Sequence, residues 1–307
     1  ALTGLGLYLL IVGSRSIYGI IGSATPAAAQ GYIADRTPPE RRTAGVASFS
    51  AAFGLGAIAG PGLGGAVAAI DPVAPLYAVA ALAGAMTLII FFFLPEKTAP
   101  APRERRASLS HFDRRLRPFL IFGLVFGMVN AAPIQTTAFY FMDILHLSPD
   151  RAPQFAGAGL MGAAMASLFS QVVLVQRLRL EPHLLMRIAP ALLAGGHALI
   201  AASHQFAPLI LGLIIAGLGA GMALPGFTGA AMLAVGDGEQ GSAAGLANSA
   251  SSSGFIFSPL VAFTLYRIAP QAPYVLTAML SVVLLIFALS SGKIRSAGRR
   301  KIAALSP

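Results

Sequence analysis

Arg15 is the one charged residue in the run GLGLYLLIVGSRSIYGIIG at positions 4 to 22. In apolar surroundings of membrane type a guanidinium costs from about 2.5 kcal/mol upward, and it persists where it faces a polar cavity or a partner. The competing use is a side chain that snorkels to the lipid headgroups. A second set offers hydrogen bonds and aromatic faces inside otherwise apolar runs: Asn130, Gln135 and Phe139, then Gln171, His197, Asn248 and Ser252. Asn248 and Ser252 are four apart and share one helical face. Such side chains line a cavity or bond a neighbouring helix, the latter worth under about 1 kcal/mol on average. A third set, Asp35, Glu40, Arg41 and Arg42, gathers both signs of charge where an apolar run ends. The chain has no Cys and five scattered His, none at ligand spacing, so neither a metal nor a cofactor is expected. No Asp or Glu falls in the middle of an apolar run. Lacking a nucleophile, base or metal constellation, the chain does not read as an enzyme.

The elements that hold these residues follow from composition. With 56% hydrophobic and 10% charged residues and a mean hydropathy of +0.76, the 307 residues are a membrane protein. A crossing helix needs about 20 apolar residues. Nine such segments are expected, near 7 to 33, 45 to 69, 74 to 94, 118 to 142, 152 to 175, 184 to 203, 206 to 230, 241 to 264 and 271 to 291. The net charge of +10 does not point to nucleic acid, because its basic residues alternate from loop to loop. Those after the first, third and fifth spans and at the C-terminus hold Arg36, Arg41, the seven basic residues from Lys97 to Arg117, and Lys293 to Lys301 among others. The opposite side holds Arg151 and Arg267. The basic loops therefore mark the cytoplasmic side, with the C-terminus inside and the N-terminus outside.

An internal repeat organises the spans. GSATP at 22 to 26 recurs as GMALP at 221 to 225, and the pair Gly45 and Gly54 recurs as Gly245 and Gly254. The first three spans thus correspond to the last three. Because the last three follow three others, the expectation is two six-helix halves with the first three helices absent, roughly 80 to 90 residues at about 20 per span. Residues 1–94 are then the remainder of an N-terminal bundle, and 95–117 (PEKTAPAPRERRASLSHFDRRLR) a basic linker lying along the membrane surface. Residues 118–307 form a six-helix bundle with a tail. The counterpart of Arg15 in this repeat is Ile214, so the architecture itself demands no charge there.

These motifs carry a resemblance. RSIYG (Arg15 to Gly19) resembles the R-x-x-x-G signature of the fourth helix of the major facilitator superfamily, and YIADRTPPERRTAG (32 to 45) resembles the following junction in its tetracycline-efflux group. GAIAGPGLGG (56 to 65) is similar to the fifth-helix signature of proton-driven exporters, matched at Gly56, Gly60, Pro61, Gly64 and Gly65. The resemblance implies an all-α polytopic membrane protein of the major facilitator fold, a monomer in the bacterial inner membrane that exports a small amphipathic compound in exchange for protons. It implies that Arg15 tunes a proton-carrying carboxylate elsewhere, that Asp35, Arg41 and Arg42 belong to a cytoplasmic gate, and that the glycine-rich helix seals the extracellular side. There Gly54, Gly56, Gly60 and Gly64 form a small-residue stripe on which another helix packs closely, and Pro61 bends the helix. The polar set of Asn130, Gln135, Phe139, Gln171, Asn248 and Ser252 is the expected substrate wall. A sugar or metabolite facilitator of the same superfamily, and a non-transporting sensor on the same fold, are the alternatives.

Overall fold

The computed structural model describes residues 4–22, 59–71, 73–94, 109–178, 180–236 and 239–295, with residues 25, 29, 32, 52, 55 and 56 described singly. Two compact units, residues 1–57 and 58–307, make up the chain. All elements among the described residues are helices. The first unit contains α1 (Gly4–Gly22). The second contains α2 (59–68), α3 (Ala74–Phe93), α4 (Arg117–Leu145) and α5 (Ala152–Phe169), which continues as a π-helix over Ser170–Arg177. It goes on with α6 (Pro182–Ala202), α7 (Phe206–Leu233), α8 (Gln240–Tyr266), α9 (Ala272–Ser290) and the short α10 (Gly292–Arg295).

Seven of these helices are long and apolar enough to cross a membrane: α1, α3, α4, α5 with its π-helical end, α6, α7 and α9. They correspond to seven of the nine expected spans. The eighth expected span is α8, whose 27 residues reach about 40 Å at 1.5 Å per residue. Length therefore suffices, but Asn248, Ser249, Ser251, Ser252 and Ser253 dilute its hydropathy. A helix that is polar within an apolar bundle has to face protein or a wet cavity along part of its surface. The other expected span, 45 to 69, is described continuously only over α2. Asp35, Glu40, Arg41 and Arg42, together with linker residues 95–108 and the tail from 296, lie outside the described residues.

Helices in lipid gain little from apolar burial against one another, so close packing through small residues has to supply the contact. In α8 the buried residues are Ala243, Ala247, Ser251, Gly254, Ser258 and Ala262, a stripe of small side chains. It lies on α4, where a Cβ on Gly127 would collide with the Ser251 carbonyl and one on Gly254 with the Leu124 carbonyl. The neighbouring helix α7 is approached from two sides. A Cβ on Gly212 would stand 2.6 Å from the Ile200 side chain of α6, and one on Gly217 would strike the Ala163 carbonyl of α5.

The large side chains fill two layers between these contacts. Phe119, Phe122, Phe126, Met186, Leu193 and Phe227 form the layer toward the basic-loop end, and Tyr140, Phe141, Ile200, Leu209 and Tyr274 the layer toward the other. The polar tips in the second layer are satisfied internally. Tyr140 donates to the Ile200 carbonyl at 3.0 Å, and the Tyr274 hydroxyl lies 3.2 and 3.3 Å from the Thr136 and Thr137 hydroxyls. By contrast α3 buries none of its residues, and its Leu, Ile and Phe side chains are exposed, as suits a helix whose solvent is lipid.

Candidate functional site

A pocket of about 280 Å³ opens between α5, α7 and α8, lined by Gln171, Val175, Gln176, Leu224, Pro225, Thr228 and Asn248. Two features of local structure create it. The end of α5 is π-helical from Ser170 to Arg177, and a π-helix bonds i to i+5 where an α-helix bonds i to i+4. Leu178 accordingly donates to the Val173 carbonyl, five residues back, at 2.9 Å. The wider turn brings residues five apart onto one face, which is how Gln171 and Gln176 reach the same pocket. The second feature is Pro225, which removes a backbone donor from the interior of α7. One turn of that helix around it supplies Leu224, Pro225 and Thr228.

The pocket is polar without being charged. Gln171 donates to the Ser167 hydroxyl at 3.4 Å, and Thr228 donates back to the Leu224 carbonyl at 2.6 Å. Thr228 thereby spends its proton and keeps its acceptor lone pairs. The Gln176 and Asn248 carboxamides bond no protein group among the described residues, and both side chains are exposed at the pocket.

Two of the six expected wall residues, Gln171 and Asn248, therefore meet across one pocket. Ser252 lies exposed one turn along α8 from Asn248 and is not part of the lining. Asn130 and Gln135 are half-buried on α4, and the Gln135 Oε1 atom is buried with no partner among the described residues. Phe139 is exposed toward the other end of α4, with ring contacts to Phe263 at 6.0 Å and Tyr266 at 6.5 Å. His197 is buried within α6. Gln176 and Thr228 are the members that the sequence did not single out. Arg15 is exposed on α1, while its repeat counterpart Ile214 packs 3.5 Å from where a Gly162 Cβ would lie.

The glycine-rich helix α2 makes a close contact, though by a different face from the expected stripe. A Cβ on Gly157 of α5 would lie 2.5 Å from the Pro61 carbonyl, and one on Gly65 would lie 3.0 Å from the Pro153 carbonyl. At Gly62 the neighbour is the Met161 sulfur at 2.6 Å. Among the described residues nothing lies within 4 Å of a Cβ at Gly56, Gly60 or Gly64. The helix turns about 100° per residue, so a contact centred on Pro61 and Gly65 leaves Gly60 and Gly64 off it. The partner residues Pro153 and Gly157 begin α5 just after Arg151, on the side where basic residues are sparse.

At the opposite end a charge cluster joins the start of α4 to the start of α8. Arg115 pairs with Asp113 at 2.8 Å and with Glu239 at 2.9 Å. Lys293 donates to the Arg114 carbonyl at 2.5 Å, and Leu109 donates its N–H to the Ser242 hydroxyl at 3.3 Å. The Arg115 side chain hydrogen-bonds both carboxylates, and this holds Asp113 and Glu239 below the usual carboxylate range. In return, the hydrogen bond to Asp113 first and that to Glu239 second raise the Arg115 guanidinium. One acid escaped the sequence reading. Helix α4 runs past residue 142 to Leu145, so Asp143 lies in its last turn and accepts a hydrogen bond from Tyr266 at 2.5 Å. Among the described residues there is no group of three His, Cys, Asp or Glu side chains able to hold a metal.

Residues 1–259 match the sequence family described as Major Facilitator Superfamily. The chain is 34% identical over 175 residues to the tetracycline resistance protein, class D, of Salmonella ordonez, covering 54% of this chain and 43% of that protein. It is 25% identical over 270 residues to multidrug resistance protein 1 of Bacillus subtilis (strain 168), covering 85% and 68%. To the class E tetracycline resistance protein of Escherichia coli it is 29% identical over 281 residues, covering 85% and 65%. The chain thus spans less than half of the first of these relatives and about two thirds of the other two. In fold it is similar to a bacterial homologue of the human lysosomal transporter Spinster, solved in an inward-facing and occupied conformation, with a TM-score of 0.57 at 13% identity over 92% of this chain and 75% of that one.

Proposed function

Since the chain belongs to the Major Facilitator Superfamily, we propose that this multi-pass membrane transporter is a proton-coupled exporter of a small amphipathic compound. The observation that carries the reading is the uncharged polar wall formed by Gln171 and Asn248 inside an otherwise apolar bundle. Such a wall satisfies the hydroxyl or amide groups of a cargo while the surrounding Val, Leu and Pro side chains take its apolar surface. The relatives named for tetracycline and multidrug resistance support a drug-like cargo over a sugar or a phosphate.

Transport in this reading is alternating access about that wall. The contact of Pro61 and Gly65 with Gly157 closes the extracellular side when the helices before and after the linker come together. The cytoplasmic gate comprises Asp35, Arg41 and Arg42, at the junction whose repeat counterpart includes Glu239. Arg15 supplies a fixed positive charge that lowers the proton affinity of a carboxylate elsewhere in the protein. The protein acts as a monomer in a bacterial inner membrane, with its C-terminus in the cytoplasm.

The test is accumulation of a fluorescent amphipathic drug in inverted vesicles carrying the intact protein, with and without a pH gradient. Accumulation that follows the gradient is expected, and a Gly65→Leu or Gly157→Leu variant, which crowds the α2–α5 contact, should lose it or leak protons. Accumulation indifferent to the gradient rejects proton coupling. No accumulation of any drug-like compound rejects export.

A further inference from the structure

We propose that the pocket at the π-helical end of α5 is a binding subsite for an uncharged compound bearing hydroxyl, keto or carboxamide groups, reached from the basic-loop side. The inference rests on the exporter reading and adds to it a place, a chemistry and two residues, Gln176 and Thr228. Its volume of about 280 Å³ is near the low end of about 300 Å³ for drug-sized ligand sites. It therefore takes the polar end of a cargo and leaves the remainder outside the pocket.

Position follows from the helix ends. Gln171 and Gln176 lie in the last turns of α5 before Arg177, and Thr228 lies in the last turns of α7 before Leu233. Asn248 lies in the third turn of α8. All three helices present these ends on the side of the basic loops, which is cytoplasmic in the exporter reading.

Chemistry follows from the inventory of free groups. Two carboxamides with unused donors and acceptors, a threonine oxygen with unused lone pairs and no ionised side chain line the pocket. Carboxamides match neutral donors and acceptors alike. A fixed cation or anion transferred there from water finds no counter-charge, and burying an unpaired charge is costly. The π-helix is the device that assembles the site. Were residues 170–177 α-helical, Gln176 would turn about 140° away from Gln171 at 3.6 residues per turn, and one of the two carboxamides would leave the pocket.

Because the 307 residues contain no Cys, Val175→Cys places a single thiol from this chain in the pocket wall. The experiment is the rate of its alkylation by a membrane-impermeant maleimide, applied from either side of vesicles carrying the intact protein. Dihydroxyanthraquinone serves as the uncharged hydroxy-ketone probe and N-methylacridinium as a fixed cation of similar size. Alkylation is expected from the basic-loop side only, and dihydroxyanthraquinone should slow it by about tenfold at ten times its dissociation constant, with N-methylacridinium far weaker. Adding Gln176→Leu should weaken binding roughly fivefold, as expected for one lost hydrogen bond, so that protection at the same probe concentration falls to about threefold. Leu224→Cys, on the opposite wall, repeats the assay should the first variant fail to fold.

Equal protection by the cation, protection by neither probe, or protection unchanged by Gln176→Leu overturns the proposal. Drug accumulation measured in the same vesicles separates the two readings. Accumulation without protection removes the subsite and leaves the exporter, whereas protection without accumulation removes the exporter and leaves the subsite.

Discussion

Two of the glycine contacts between helices in this molecule differ in how tightly they close. Between α4 and α8 the glycines Gly127 and Gly254 bring backbone onto backbone, so that a Cβ at either would overlap a carbonyl of the other helix. Between α2 and α5 the contact is graded. Gly157 has the Pro61 carbonyl at 2.5 Å from a would-be Cβ, Gly65 has the Pro153 carbonyl at 3.0 Å, and Gly62 meets only the flexible tip of Met161. The first contact joins two helices that follow the linker. The second joins a helix before it to one after it. A bundle that stays together gains from the closest approach its backbone allows, whereas the contact proposed to open during transport would be served by a looser approach.

The comparison predicts a ranked set of substitutions. Gly127→Leu and Gly254→Leu should be the most damaging, costing more than about 3 kcal/mol because rigid backbone cannot yield. Size-exclusion profiles of detergent-solubilised protein should show loss of the monodisperse peak. Gly157→Ala comes next, at about 1 to 3 kcal/mol, read as a lowered thermal midpoint and a changed transport rate in the intact protein. Gly62→Ala should cost less than about 1 kcal/mol, since the Met161 side chain can change rotamer. Gly60→Ala and Gly64→Ala meet nothing among the described residues, so the higher helix propensity of Ala should leave stability unchanged or raise it by up to about 1 kcal/mol. A large loss at Gly60 together with none at Gly157 would show that the contact face has been misplaced.

The smallest effect is expected at the charge cluster of Asp113, Arg115 and Glu239. Both carboxyls are held below their ordinary values by Arg115. A depressed carboxyl stabilises the folded protein above its unfolded value near 4, and that contribution is lost as pH falls through the lowered value. Stability should therefore not vary with pH through these groups between about pH 5 and 8, where Arg115→Ala should remove a small stabilisation, and the difference between variant and parent should vanish as pH falls below about 4. The cluster is exposed, so added salt should weaken it as well.

The helices were legible from hydropathy wherever the run was purely apolar, and α8 was legible despite its serines because length and position in the repeat supported it. Helix faces were harder to read. The stripe of Gly56, Gly60 and Gly64 was plain in sequence, yet spacing alone cannot say which face of a helix meets its neighbour when small residues occur on several. Of the candidate site, Gln171 and Asn248 were visible as polar residues inside apolar runs. Gln176 was hidden by the π-helix, since an α-helical period separates it from Gln171. The valines in SQVVLVQR, whose branched side chains crowd an α-helical turn, were the only hint of irregularity. Thr228 looked like one more small residue in a long apolar helix. Asp143 was missed because the hydropathy of its run fades a turn before the helix ends.

In the proposed exporter the contact between α2 and α5 is a gate that opens during transport. Gly62→Cys combined with Met161→Cys places two thiols across it, in a chain that has none of its own. Drug accumulation by the intact double variant, measured before oxidation, after oxidation and after reduction, is the most direct test. The account predicts that the disulfide abolishes accumulation and that reduction restores it. Full transport by the cross-linked protein would show that these helices never separate, and the gate would have to lie elsewhere.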